Sequence, residues 1–160
     1  DQVTDTLYDV LGVAFNTIGK YAQEKDVLVG IENHGGSSAT GASLRKLLDM
    51  VPFESVGVTF DPANFAIAGE DPYHALRLLE DRIVYTHWKD IHHTDKGLGY
   101  CAFGSGEIDW NPIISRIVDK YDGLWAIEFE RKDDSTIETL KSGTLQSMDN
   151  LRSIIEDAKN

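Results

Sequence analysis

Apolar positions along the chain alternate between a helical and a strand-like period. Between Thr4 and Gln23 they recur at Leu7, Val10, Leu11, Ala14, Ile18 and Ala22, the spacing that lines one face of a helix. Val27-Leu28-Val29-Gly30-Ile31 is short, rich in β-branched residues and apolar on both parities, which predicts a strand covered on both faces. Glu32 ends that strand, and a glycine- and serine-rich loop follows from Gly35 to Ser38. Thr40 is placed to cap a helix with Leu44, Leu47, Leu48 and Val51 on its apolar side, and Pro52 lies beyond its end.

The unit then repeats. Val56-Gly57-Val58-Thr59-Phe60 ends in Asp61, and Asp71-Pro72 opens a helix carrying Ala75, Leu76 and Leu79. Ile83-Val84-Tyr85-Thr86 predicts a third strand closed by His87. Gly97, Gly99, Gly104 and Gly106 predict a long irregular loop after it, and long loops in compact domains are often functional. Asn111-Pro112 opens a helix with Ile113, Ile114, Ile117 and Val118 along it. Gly123 precedes a fourth strand, Leu124 to Phe129, in which Glu128 and Glu130 share a parity. A last helix is expected from about Thr139, with Leu145, Met148, Leu151, Ile155 and Ala158 on its stripe and Gly143 as a break. A helix followed by four strand-helix units predicts an α/β fold with a parallel sheet and right-handed crossovers, in one domain over residues 1–160.

Each predicted strand carries a polar residue at or next to its C-terminal end: Glu32, Asp61, His87 and Glu128. A carboxylate is costly to bury unless it is paired or binds a metal. A lone strand-end Asp or Glu ordinarily caps a helix or ties a loop. In a parallel sheet, however, all C-terminal strand ends lie at one edge, where α/β proteins place their sites. Four such residues, one per strand, predict a shared site. Two glutamates, an aspartate and an imidazole suit one divalent ion, Mn²⁺ first, with Mg²⁺, Co²⁺ or Zn²⁺ as alternatives.

Around this set, His34, Asn64 and Lys89 are the candidates to touch substrate. Asn33 points opposite to Glu32 and is expected to tie down the loop, and Glu130 is the rival to Glu128. Glu107 in the long loop is either structural or substrate-facing. A second metal at His92-His93 is not expected, because adjacent residues of a strand point apart. His74 is expected on a helix surface. Trp125 is expected to pack against helices, and Trp88 and Trp110 to belong to the core or to a site wall.

Composition narrows the partners. The chain has 160 residues, 41% hydrophobic and 26% charged, as expected of a single globular domain. Its net charge of −12 argues against nucleic-acid backbones and anionic membranes and favours a small neutral or metal-chelated ligand. A single cysteine, Cys101, cannot make an intrachain disulfide, and no apolar segment approaches the roughly 20 residues of a membrane span, so a cytoplasmic setting is expected. The sequence does not open on Met or on a charged-then-apolar leader, and it is expected to be part of a longer parent.

With these residues in hand, the chain resembles the xylose isomerase-like TIM-barrel family of sugar phosphate isomerases and epimerases. The motifs that carry the resemblance are Ile31-Glu32-Asn33-His34-Gly35-Gly36, Phe60-Asp61-Pro62-Ala63-Asn64, Gly69-Glu70-Asp71-Pro72, His87-Trp88-Lys89-Asp90, the run Gly104 to Trp110, and Ile127-Glu128. The resemblance implies the C-terminal half, about four strands, of a (β/α)8 barrel. It implies that Glu32, Asp61, His87 and Glu128 are metal ligands and that the two glutamates shuttle protons. The reaction implied is isomerisation or epimerisation of a sugar or sugar phosphate through a metal-stabilised enediolate.

Two positions depart from the ketose epimerases. Asn64 stands where they have a histidine three residues after the aspartate, and His93 where they have an arginine. The chain looks closer to the broad branch with Glu-Asn-His-Gly and His-Trp-Lys-Asp signatures, which includes isomerases, dehydratases and lyases; a dehydratase or lyase acting on a keto-sugar or keto-inositol through the same metal site is the alternative function. Apurinic-site endonucleases share the barrel, but they use a histidine-rich multi-zinc site and a basic surface. A third expectation is that a half barrel is inactive alone, or pairs with another copy as a homo-oligomer, since a full barrel takes eight strands and about 250 residues.

Overall fold

A computed structural model of the chain describes residues 5–130 and 136–160. They fall into two compact units, one ending at Thr86 and one beginning at His87.

The first unit contains α1 (Asp5–Glu24), β1 (Val29–Glu32), α2 (Gly41–Asp49), β2 (Val56–Phe60), α3 (Pro62–Ile67), α4 (Pro72–Leu79) and the start of β3 (Ile83–Trp88). Local sequence sets the helix starts. Thr40 and Ser43 form a reciprocal capping box at α2, and Asp71 accepts the Tyr73 N–H with Pro72 in the first turn of α4. The strands pair in parallel, with Glu32 opposite Thr59 and Phe60 opposite Thr86. Every residue of β2 is buried, and Leu44, Leu47, Leu48, Phe65, Leu76 and Leu79 complete the core. Helix α3 has no counterpart among the predicted elements. It starts on Pro62 directly after Asp61, which caps it.

Two expectations in this unit change. The predicted stripe of α1 is mostly outside: Leu7, Val10 and Ile18 are exposed, while Tyr8, Gly12, Gly19 and Ala22 are buried. Small residues decide the docking face, because a β-carbon at Gly19 would lie 2.9 Å from Phe53 and Val56 side-chain atoms. Thr4, where the pattern begins, lies outside the described residues. Strand β1 is not covered on both faces. Gly30 is exposed and Val29, Ile31 and Glu32 are half-buried, and Val27 and Leu28 just before the strand are exposed.

The second unit contains the end of β3, β4 (Asp90–Thr94), β5 (Gly97–Cys101), α5 (Trp110–Ile117), β6 (Trp125–Ile127) and α6 (Ile137–Ala158). The first part of the expected irregular loop is an antiparallel hairpin of β4 and β5, with Asp90 opposite Cys101 and Thr94 opposite Gly97. Its turn is closed by the Thr94 hydroxyl, which donates to Gly97 O at 2.8 Å, and Gly97 supplies a φ of 102°. Strand β6 is shorter than predicted, so Glu128 lies just past it, yet its N–H still donates to Trp88 O at 3.1 Å. Helix α6 starts at Ile137 and passes through Gly143 without a break, since Gly143 is the point where the helix meets the Phe129 ring. Trp88 is fully buried, stacks on Trp125 at 5.0 Å, and meets Phe103 and Trp110 edge-on, so it belongs to the core.

The main sheet has four parallel strands in the order β1-β2-β3-β6, and in this chain it is not closed into a barrel. Among the described residues no helix is long and apolar enough to cross a membrane.

Candidate metal centre

In the first unit, Asp61 and Glu32 sit at the ends of neighbouring parallel strands. Asp61 is fully buried, and its Oδ1 accepts the Asn64 N–H at 3.1 Å as the cap of α3. The ordinary role of a strand-end aspartate therefore holds here for one of its oxygens. Asn33, 1% exposed, grips the Asp61 backbone from the end of β1. Its Nδ2 donates to Asp61 O at 2.7 Å, and its Oδ1 accepts the Asp61 N–H at 2.9 Å. Glu32 is half-buried and accepts from Asn64 Nδ2 at 3.4 Å. His34 is exposed, and its backbone N–H donates to Ser38 Oγ at 3.3 Å.

In the second unit, His87 Nδ1 lies 3.5 Å from Glu128 Oε2. Lys89 shares the parity of His87, and its side chain is only 3% exposed, with Nζ 2.9 Å from Glu128 Oε2 and 3.5 Å from Glu130 Oε2. A buried ammonium thus bridges Glu128 and its rival, and Glu128 is the one that also meets His87.

Asp90, on the opposite parity, is an anchor that the apolar pattern does not reveal. It is fully buried, and its Oδ2 accepts from Trp110 Nε1 at 2.8 Å and from the Gly104 and Gly106 N–H groups at 3.0 Å each. Its Oδ1 accepts the Ile91 N–H at 2.8 Å. The sequence signal that accompanies it is Gly104 and Gly106 followed by Trp110, because a side chain at Gly106 would collide with the Asp90 carboxylate.

Glu107 is tied to His93, accepting its N–H at 2.6 Å and lying 2.7 Å from its Nδ1. The hydrogen bond from the His93 backbone, then that from its ring, holds the Glu107 carboxyl below the usual glutamate range. Burial, and then the negative charges of Asp90 and Glu107, push the Cys101 thiol up to about 11, so it is no ready nucleophile.

The first unit offers two carboxylates from neighbouring strand ends, Glu32 and Asp61, and the second offers the imidazole of His87 beside the carboxylate of Glu128. The set offers oxygens and one imidazole nitrogen without thiolate, donor chemistry that fits a hard or borderline divalent ion. Asn64 and Lys89 each contact one of these residues directly.

Known proteins resemble this chain in sequence and in fold. The sequence profile of the xylose isomerase-like TIM barrel matches residues 2–154. An inosose dehydratase of Lacticaseibacillus casei is 28% identical over 145 residues, covering 80% of this chain and 49% of that protein. The chain spans about half the length, or less, of the curated relatives it matches. A xylose isomerase domain protein from Planctomyces limnophilus superposes with a TM-score of 0.80 at 20% identity, over 100% of this chain and 57% of that one. The IolI protein, solved with a zinc atom bound, superposes with a TM-score of 0.78 at 15% identity, over 99% of this chain and 60% of that one. Likeness at such identities speaks for the fold, while the profile match covers nearly the whole sequence: the chain belongs to the xylose isomerase-like TIM-barrel family.

Proposed function

We propose that Glu32, Asp61, His87 and Glu128 hold one divalent ion, Mn²⁺ in the first instance, and that the site moves a proton on the carbon next to a carbonyl of a sugar or related polyol. The observation that carries this reading is the donor set that each unit brings to its strand ends: Glu32 and Asp61 on neighbouring parallel strands in the first, and His87 Nδ1 3.5 Å from Glu128 Oε2 in the second. A bound divalent ion would supply Lewis-acid polarisation of the carbonyl and its neighbouring hydroxyl.

The chain's own residues do the rest. One of the two glutamates, Glu32 or Glu128, takes the proton as general base, and the other returns it. Asn64 holds Glu32 by its carboxylate oxygen, which limits how that oxygen can turn. Lys89 brings a buried positive charge to the Glu128 side, suited to a substrate oxygen that gains negative charge. His34, exposed beside the strand end, is placed for the rim of the substrate. Proton return to the same or the neighbouring carbon completes an epimerisation or an isomerisation.

Elimination of water is a second reading, favoured by one observation: the similar protein of Lacticaseibacillus casei is an inosose dehydratase. Both reactions begin with the same proton removal, and they part over whether a hydroxyl then leaves. Incubation with ketoses, keto-inositols and 3-keto-glycosides distinguishes them by the release of water or an alcohol.

The test of the site joins metal analysis to Glu32→Gln and Glu128→Gln. Each change is expected to lower Mn²⁺ content and to abolish proton exchange into solvent. Undiminished metal content with undiminished exchange in both variants would overturn the reading.

A further inference from the structure

We infer that Asn33 is the positioning residue of the metal centre, acting through the backbone of Asp61 and not by touching ion or substrate. The inference rests on the metal reading above and extends it to a residue outside the ligand set.

The parallel ladder between β1 and β2 has its last paired residues at Glu32 and Thr59. Beyond that point the side chain of Asn33 takes over the pairing, giving a donor to Asp61 O at 2.7 Å and an acceptor to Asp61 N–H at 2.9 Å. Both backbone groups of the buried aspartate are thereby satisfied by one planar amide. Only a carboxamide side chain carries donor and acceptor side by side in this way, and asparagine is the shorter of the two that do. An ionised aspartate there could accept but not donate, and alanine could do neither.

The clamp has two consequences. It prevents the ends of β1 and β2 from separating, so Glu32, the neighbour of Asn33 in sequence, keeps its place relative to Asp61. It also fixes the backbone from which the Asp61 carboxylate projects, while the Asn64 N–H fixes Oδ1. Ligands held in advance bind an ion with less reorganisation, and partners beyond the ligands commonly govern affinity by about 10- to 100-fold.

The test compares Asn33→Asp and Asn33→Ala with a control at Asn16, whose amide bonds the backbone oxygens of Gly12 and Met50 at 2.8 Å each and touches no ligand. Mn²⁺ affinity is read by titration calorimetry, and melting temperature is read without metal. Both Asn33 variants are expected to bind Mn²⁺ at least about tenfold more weakly than the unchanged chain. Asn16→Asp is expected to lower the melting temperature with its Mn²⁺ affinity unchanged. Unchanged affinity in both Asn33 variants overturns the inference and leaves the metal reading standing. An equal loss of affinity in Asn16→Asp also overturns it, since any weakening of the fold would then suffice. If the unchanged chain binds no Mn²⁺, the metal reading falls, and this inference falls with it.

Discussion

Trp110 donates its indole N–H to Asp90 Oδ2 across 2.8 Å in the interior of the second unit. That carboxylate also gathers the N–H groups of Gly104 and Gly106, so one side chain organises the turn between β5 and α5. Replacing Asp90 with Asn puts an NH2 group among N–H donors that need an acceptor. Asp90→Asn is expected to cost roughly 2–4 kcal/mol of stability, read from urea unfolding. Trp110→Phe, which leaves the carboxylate its other donors, is expected to cost less.

Gly143 lies against the ring of Phe129 with no room for a side chain. Gly143→Leu is expected to destabilise the chain by about 1–3 kcal/mol, because α6 must move away or the ring must turn. A thermal melt equal to that of the unchanged chain would show that the helix sits elsewhere.

The Glu107–His93 tie predicts a dependence on acidity. Because the folded carboxyl is held below its ordinary value near 4.5, its contribution is fully present above that value and is lost as pH falls through the lower, folded one. Hydrogen exchange of the His93 amide, which donates to Glu107, is expected to lose protection in that acidic window and not near neutrality. Glu107→Gln should remove the dependence.

Cys101 is expected to alkylate slowly. A thiol moved from 9.0 to about 11 carries about a hundredfold less thiolate near neutral pH. Iodoacetamide labelling of the folded chain at pH 8 should run at least about tenfold slower than after unfolding in urea, and should accelerate steeply as pH rises.

The strand ends were legible because each apolar run stops on or near one polar residue: Glu32 is the last residue of its strand, His87 the last but one of its own, and Asp61 and Glu128 lie just beyond theirs. What stayed hidden depends on groups that the one-letter code does not display. Asp90 is held largely by backbone N–H groups, and Asn33 grips a peptide far along the chain, so neither interaction leaves a periodic trace. The hairpin of β4 and β5 was masked by Gly97 and Gly99, which read as a loop although one makes the turn and the other makes room for His92. On α1 the apolar count pointed to one face, whereas Gly12 and Gly19 let the helix approach on another. Hydrophobic periodicity measures how much can be buried; close approach is decided by how little stands in the way.

The position of β1 at the end of the strand order, with Val27 and Leu28 exposed just before it, bears on colloidal behaviour. An open strand edge beside greasy side chains invites copies to adhere, and the charge of −12 is what holds them apart. Salt screens that repulsion, with a Debye length of about 8 Å at physiological ionic strength and about 3 Å at 1 M. Light scattering from the chain should therefore grow with added sodium chloride, and a lysine in place of Leu28 should delay the onset. In this chain, the edge of β1 and the net charge act against each other in self-association.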